Sequence, residues 1–226
     1  MGELPLLKME RQAKVTRSKI FGRKRVLSII QAAGWPIWPL IIASIISVGI
    51  IGERLWSLSS SQVAPKSLLP KVQEWLRQGG VNDEVLANLE RHSSLGQLFA
   101  AGLRNVNSSR EMMQEAIEDT GRAVTHELER FLTTLGTIAS VSPLLGLLGT
   151  VIGMVEIFGA LTPTGGSPAQ LAHGISVALY NTAMGLIVAI PSMIFYRFFR
   201  AKVDTLVMEM EQQSIRLVDM VHGDRK

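Results

Sequence analysis

Between Ser142 and Arg200 the sequence holds two apolar stretches joined by a short connector, and this pair constrains everything else the chain can do. The first arm runs from about Thr137 to Leu161 and the second from about Ala172 to Tyr196. Each is longer than the ~20 apolar residues that a helix needs to cross a bilayer, so both are predicted to span. The connector, Thr162-Pro-Thr-Gly-Gly-Ser-Pro168, is made of turn-forming residues and returns the chain antiparallel.

Projected at about 100° per residue, each arm has a small-residue face. Ala139, Ser142, Gly146, Gly149, Thr150 and Gly153 gather on one side of the first arm, with Leu144, Leu148, Val151 and Val155 opposite. On the second arm Gly174, Ala178, Asn181, Thr182, Gly185, Ala189 and Ser192 gather against Tyr180, Met184, Ile187 and Ile194. The small faces admit close backbone approach and the large ones suit lipid. An antiparallel pair then sets Thr150 and Thr182 at comparable depths. Taken alone, the stripes predict helix packing and do not distinguish a pore from a packed hairpin.

The rest of the chain fits a small integral membrane protein. With 226 residues and a mean hydropathy of +0.25 it is too apolar for an ordinary soluble protein of its size and too short for a large transporter. Cysteine is absent, which excludes disulfides and thiolate metal sites. The net charge of +4 clusters at the N-terminus and after the last span, as near anionic headgroups, and does not call for nucleic acid.

In order, residues 1–25 form a basic tail, and Val26 to Ala33 an interfacial stretch with Trp35 and Trp38 at headgroup level. A first transmembrane helix from about Pro36 closes at Glu53, Arg54 and Trp56, so that 26–56 is one segment. Residues 57–135 read as a polar helical domain. One helix starts near Pro65 and Pro70 and ends at Gly79-Gly80, a second is capped by Asn82 and runs from Asp83 to about His92, and a third covers about Leu95 to Val106. Ser108 to Glu111 has capping-box spacing. It opens a long helix with Met113, Ile117, Val124, Leu128, Phe131 and Leu135 on one stripe, predicted to run without a break into the second span at 136–161. After the connector (162–171) and the third span (172–197), residues 198–226 continue as a helical tail. Its stripe is Val203, Leu206, Val207, Met210, Leu217 and Val221, and it stops near Gly223. The fold class is thus all-α, three transmembrane helices, the second and third extending beyond the membrane.

No catalytic constellation is present, and the reading is not of an enzyme. His92, His126, His173 and His222 are scattered with no second ligand at helical spacing, so no metal site and no cofactor is predicted. The glycines from Gly146 to Gly153 have no lysine after them and lie in lipid, which rejects a phosphate loop.

Three stretches carry a family resemblance: Pro143-Leu-Leu-Gly-Leu-Leu-Gly-Thr-Val-Ile-Gly153, Gly174-Ile-Ser-Val-Ala-Leu-Tyr-Asn-Thr-Ala-Met-Gly-Leu186 and Ala189-Ile-Pro191. They resemble the signature of the MotA/TolQ/ExbB proton-channel family, closest to its ExbB/TolQ branch. The likeness continues upstream through Trp35-Pro-Ile-Trp-Pro39 and Glu53-Arg-Leu-Trp56 and covers about Val26 to Val221. The resemblance implies a homo-oligomeric ring, usually a pentamer, in the bacterial inner membrane. Such a ring surrounds the spanning helices of an ExbD-like one-span partner whose membrane aspartate carries the proton, and a TonB-like protein is energised by the ion flow. It also implies that Thr150 and Thr182 are the pore-facing threonines, with Gly146, Gly149, Gly153, Ala178 and Gly185 as small pore-lining residues.

The sequence departs from the family at one place. Where ExbB and TolQ proteins commonly have a glutamate it has Val177, and no other carboxylate lies on the third span. Glu156, roughly 9 Å outward from Thr150 on the second span at 1.5 Å per residue, is a candidate displaced relay. Alternatives are a TolQ-like envelope or gliding motor and a non-conducting scaffold ring. Charge sets the topology: the connector has no Lys or Arg, whereas Arg197, Arg200 and Lys202 follow the third span. This flank places the C-terminus in the cytoplasm and the N-terminus in the periplasm. The basic tail argues the reverse; the flank is preferred because the family resemblance agrees with it.

Overall fold

The computed structural model describes residues 34–78, 82–159 and 168–223. The basic tail, the interfacial stretch before Gly34, the Gly79-Gly80 stop and most of the connector lie outside them. The described residues are helical. In order they form α1 (Ile37–Ser57), α2 (Ser60–Val63), α3 (Leu68–Gln78), α4 (Asp83–His92), α5 (Ser94–Arg104), α6 (Arg110–Leu128), α7 (Leu132–Gly159) and α8 (Pro168–His222). Three stretches are long and apolar enough to cross a membrane, one in α1, one through α6 and α7, and one in α8. This is the three-span, all-α architecture that the sequence predicts.

The chain divides into two compact units, Met1–Ile46 with Ile138–Pro191, and Ser47–Thr137 with Ser192–Lys226. The second unit is a helical bundle. Its core draws Val72, Leu89, Phe99 and Leu103 from the short helices, Met113, Ile117, Val124 and Leu128 from α6, and Val203, Leu206, Met210 and Leu217 from α8. The α6 and α8 residues are the two predicted stripes meeting. At the far end of this contact Arg110 pairs with the buried Asp219 at 2.8 Å, and nearer the spans Arg200 reaches Glu129 at 3.4 Å. Gly223 closes α8 with a left-handed φ of 70°, and its N–H donates to the Asp219 carbonyl.

Local signals account for the helix starts. Asn82 accepts from the Val85 amide and Ser93 from the Gly96 amide, each filling one of the unpaired donors of a first turn. The cap of α6 is Ser109, which accepts from Met112, rather than the predicted Ser108, whose amide closes a turn onto Asn105. Glu111 therefore sits within the first turn. Its own backbone N–H and then the Ser109 hydroxyl hold its carboxyl below the usual carboxylate range.

The predicted unbroken helix into the second span is corrected by one turn. Between α6 and α7, Phe131 adopts φ 66°, a left-handed conformation that is costly for a residue with a Cβ, and its side chain leaves the stripe, 40% exposed. The compensation comes from α1. Arg54, 5% exposed, donates from Nη1 to the Leu128 carbonyl at 3.2 Å and lays its guanidinium over the Phe131 ring at 5.3 Å. The carbonyl released by the break is thereby satisfied from another helix.

Candidate functional site

The first unit contains the paired spans. Their contact can be read residue by residue from the glycines. A Cβ added to Gly185 would stand 2.6 Å from the Ser142 carbonyl oxygen, and one added to Gly146 would stand 2.8 Å from the Asn181 carbonyl oxygen and 3.1 Å from Thr182 Cα. At Gly149 it would meet Asn181 Cβ at 2.7 Å, at Gly153 the Ala178 Cβ at 3.6 Å, and at Gly174 the Ile157 side chain. As numbers rise along α7 they fall along α8, so the two helices are antiparallel. Backbone touches backbone where only glycine leaves room, the close packing that small-residue stripes make possible in lipid.

Burial follows the predicted faces. Ala139, Ser142, Gly146 and Gly149 are buried on α7, and Ala178, Asn181, Gly185 and Ala189 on α8. Leu144, Leu148, Val151, Val155, Tyr180 and Ile187 are exposed. Pro143 lies inside α7 and cannot donate a backbone bond; beside it the fully buried Ser142 hydroxyl donates to the Ile138 carbonyl at 2.7 Å.

Thr150 and Thr182 flank this contact and both are half-buried. Thr182 is level with Gly146, so the two threonines lie within about one helical turn of each other along the hairpin. Their hydroxyls differ. That of Thr150 donates to the Leu147 carbonyl at 2.6 Å, whereas that of Thr182 has no hydrogen-bond partner among the described residues. A threonine hydroxyl can donate to a carboxylate or accept from a carboxylic acid, so the pair suits a group that cycles between the two.

The remaining candidates are dispersed. Gly146, Gly149 and Gly185 are held in the α7–α8 contact itself, and Gly153 and Ala178 meet at ordinary van der Waals distance. Val177 is half-buried on α8, and Glu156 is exposed near the end of α7 with no ion pair among the described residues. Asn181, 1% exposed at the centre of the hairpin, is a polar residue among the small packing positions of the α8 stripe. An amide in a spanning helix is itself a signal, because polar groups are costly there.

Known proteins share much of this sequence. Residues 90–212 match the sequence model of the MotA/TolQ/ExbB proton channel family. The biopolymer transport protein exbB1 of Vibrio cholerae is 32% identical over 169 residues, covering 72% of this chain and 73% of its own. A putative biopolymer transport protein, ExbB-like 3 of Synechocystis, is 32% identical over 168 residues, covering 72% and 79%. The Tol-Pal system protein TolQ of Pseudomonas aeruginosa is 29% identical over 180 residues, covering 74% and 78%.

Proposed function

The chain belongs to the MotA/TolQ/ExbB proton channel family, and from that premise we propose that it is the ExbB-like ring subunit of an inner-membrane motor driven by the proton-motive force. The carrying observation is the antiparallel α7–α8 hairpin with its two half-buried threonines within about one helical turn of each other. In this reading several copies, most simply five, surround the helix of an ExbD-like one-span protein whose membrane aspartate carries the proton. The motion energises a TonB-like protein for outer-membrane transport. Thr150 and Thr182 face that aspartate and steady both its charge states, since a bare carboxylate in lipid is costly. One charge crossing ~100 mV releases about 2.3 kcal/mol, enough to drive a conformational step. The glycines serve by letting the two helices of each subunit close up.

The groove between α6 and α8 supports assembly outside the membrane as well. It has a volume of about 630 Å³ and sets apolar Ile117, Val207 and Met210 beside Glu118, Arg122 and Glu211, and in this reading it receives a helix of the next subunit. Coexpression with a one-span, aspartate-bearing partner should yield a complex whose native mass corresponds to a ring of this chain plus that partner. A monomer in mild detergent, with and without the partner, would refute the ring.

Val177 favours a second reading, a scaffold ring that holds partner helices without conducting, because the position carries no proton-exchanging group. A TolQ-like system is the alternative within the family, supported by the likeness to that branch. The orientation we propose, with the N-terminus periplasmic and α6 cytoplasmic, follows from Arg197, Arg200 and Lys202. Cysteines introduced singly at Thr164 and Gln114 should label from opposite sides of the membrane, Thr164 from the periplasm. Labelling of both from one side would sink this topology.

A further inference from the structure

A cavity of about 460 Å³ opens where α1 ends and α8 leaves its apolar stretch. Its two sides differ in chemistry. Leu55 and Phe198, 55% and 54% exposed, form an apolar rim next to Trp56, which is 76% exposed. Both rim residues sit at the ends of membrane-crossing stretches, where acyl chains meet headgroups. The polar side is built from Arg54, Ser59, Ser60, Ser61 and Lys202, with the Ser59 and Ser61 hydroxyls hydrogen-bonded to each other at 2.9 Å, so that one of the two protons stays available.

Lys202 is the informative residue. It is half-buried, and its Nζ donates to the Ser60 hydroxyl at 3.0 Å. Among the described residues no carboxylate lies within ion-pair distance of it, although the neighbouring cations are served: Arg54 by Glu53 at 2.6 Å, and Arg200 by Glu129 and Asp204. A partly desolvated ammonium without an anion loses hydration and gains little in return. Ammonium and hydroxyl groups converging on one concave site are a ligand set for a phosphate oxyanion, which accepts charge-assisted hydrogen bonds from both. The apolar rim extends that ligand into a hydrocarbon.

We propose that this cavity binds the phosphate of an anionic phospholipid, with Lys202 and the serine hydroxyls on the phosphodiester and the acyl chains along Leu55 and Phe198. The proposal requires only that α1 and α8 cross the bilayer, not that the ring conducts protons. Occupancy would tie the end of the first span to the end of the third, so lipid composition would tune the stability of this junction.

Full-length protein purified in mild detergent is titrated with phosphatidylglycerol, phosphatidylcholine or sodium phosphate, with retained lipid counted by native mass spectrometry and melting temperature followed in parallel. Phosphatidylglycerol should be retained and raise the melting temperature; the other two should do neither. Lys202→Gln should weaken phosphatidylglycerol retention about tenfold, the effect of losing a hydrogen bond to a charged group. Ser61→Glu, at an exposed position that leaves packing intact, should repel the phosphate and weaken retention at least as much. Lys202→Arg should keep it. Equal retention of phosphatidylcholine, unchanged retention in both weakening variants, or equal stabilisation by sodium phosphate would each overturn the proposal, the last by assigning the site to a soluble anion.

Discussion

Gly185→Val should abolish the assembled protein, whereas Gly153→Ala should be close to neutral. The two positions lie on the same pair of helices but differ in the room around them. At Gly185 the first added carbon already stands 2.6 Å from the Ser142 carbonyl and 3.1 Å from Gly146 Cα. Both obstacles are backbone, so no rotamer change can relieve the overlap and the helices must separate. Overpacking typically costs about 1 to 3 kcal/mol where side chains can give, and here they cannot. Separation also removes the backbone contact at Gly146 and the contact of Gly149 with the Asn181 side chain, because one rigid helix carries both. At Gly153 the nearest atom to an added methyl is Ala178 Cβ at 3.6 Å, an ordinary contact. Membrane yield and size-exclusion profile report the difference. A wild-type profile for Gly185→Val would show that the hairpin does not pack as described.

The hairpin was legible in the sequence because lipid and close packing impose opposite demands on the two faces of one helix. Large apolar residues and small ones therefore separate at a period of 3.6, and the antiparallel register follows from the short connector. The cap at Asn82 and the stop at Gly223 were legible for a related reason, since each is a local rule with a local cause. The break at Phe131 was not. No glycine or proline marks it, and the residues on either side continue the apolar stripe. What accommodates it is Arg54, distant in sequence, which reaches the Leu128 carbonyl and the Phe131 ring from another helix. Tertiary contacts of this kind leave no trace in periodicity. The candidate site was legible only in part. The stripes found the helices that meet, but the difference between the bonded hydroxyl of Thr150 and the available one of Thr182 depends on rotamers and neighbours, which spacing does not encode.

That difference sharpens the mechanistic prediction. If both hydroxyls steady a partner aspartate, Thr182→Val and Thr150→Val should keep shape and assembly while lowering energy-dependent transport. Losing one hydrogen bond to a charged group costs roughly 1.5 to 3 kcal/mol, about tenfold or more in a rate-limiting ionisation. The two positions should not be equal. Before Thr150 can donate to the partner it must release the Leu147 carbonyl, bonded at 2.6 Å, and a bond of that kind is worth about 0.5 to 1.5 kcal/mol net. Thr182 releases nothing, so Thr182→Val should have the larger effect. Serine at either position keeps the hydroxyl and should retain most of the activity. A scaffold ring makes a different forecast: neither valine nor serine greatly changes the packing volume of the threonine it replaces, so both would behave alike at both positions. The measurement is energy-dependent uptake or envelope function in cells, with ring assembly checked for every variant. Full activity in both valine variants would remove the hydroxyls from the mechanism and leave the exposed Glu156, or the partner alone, to carry the proton.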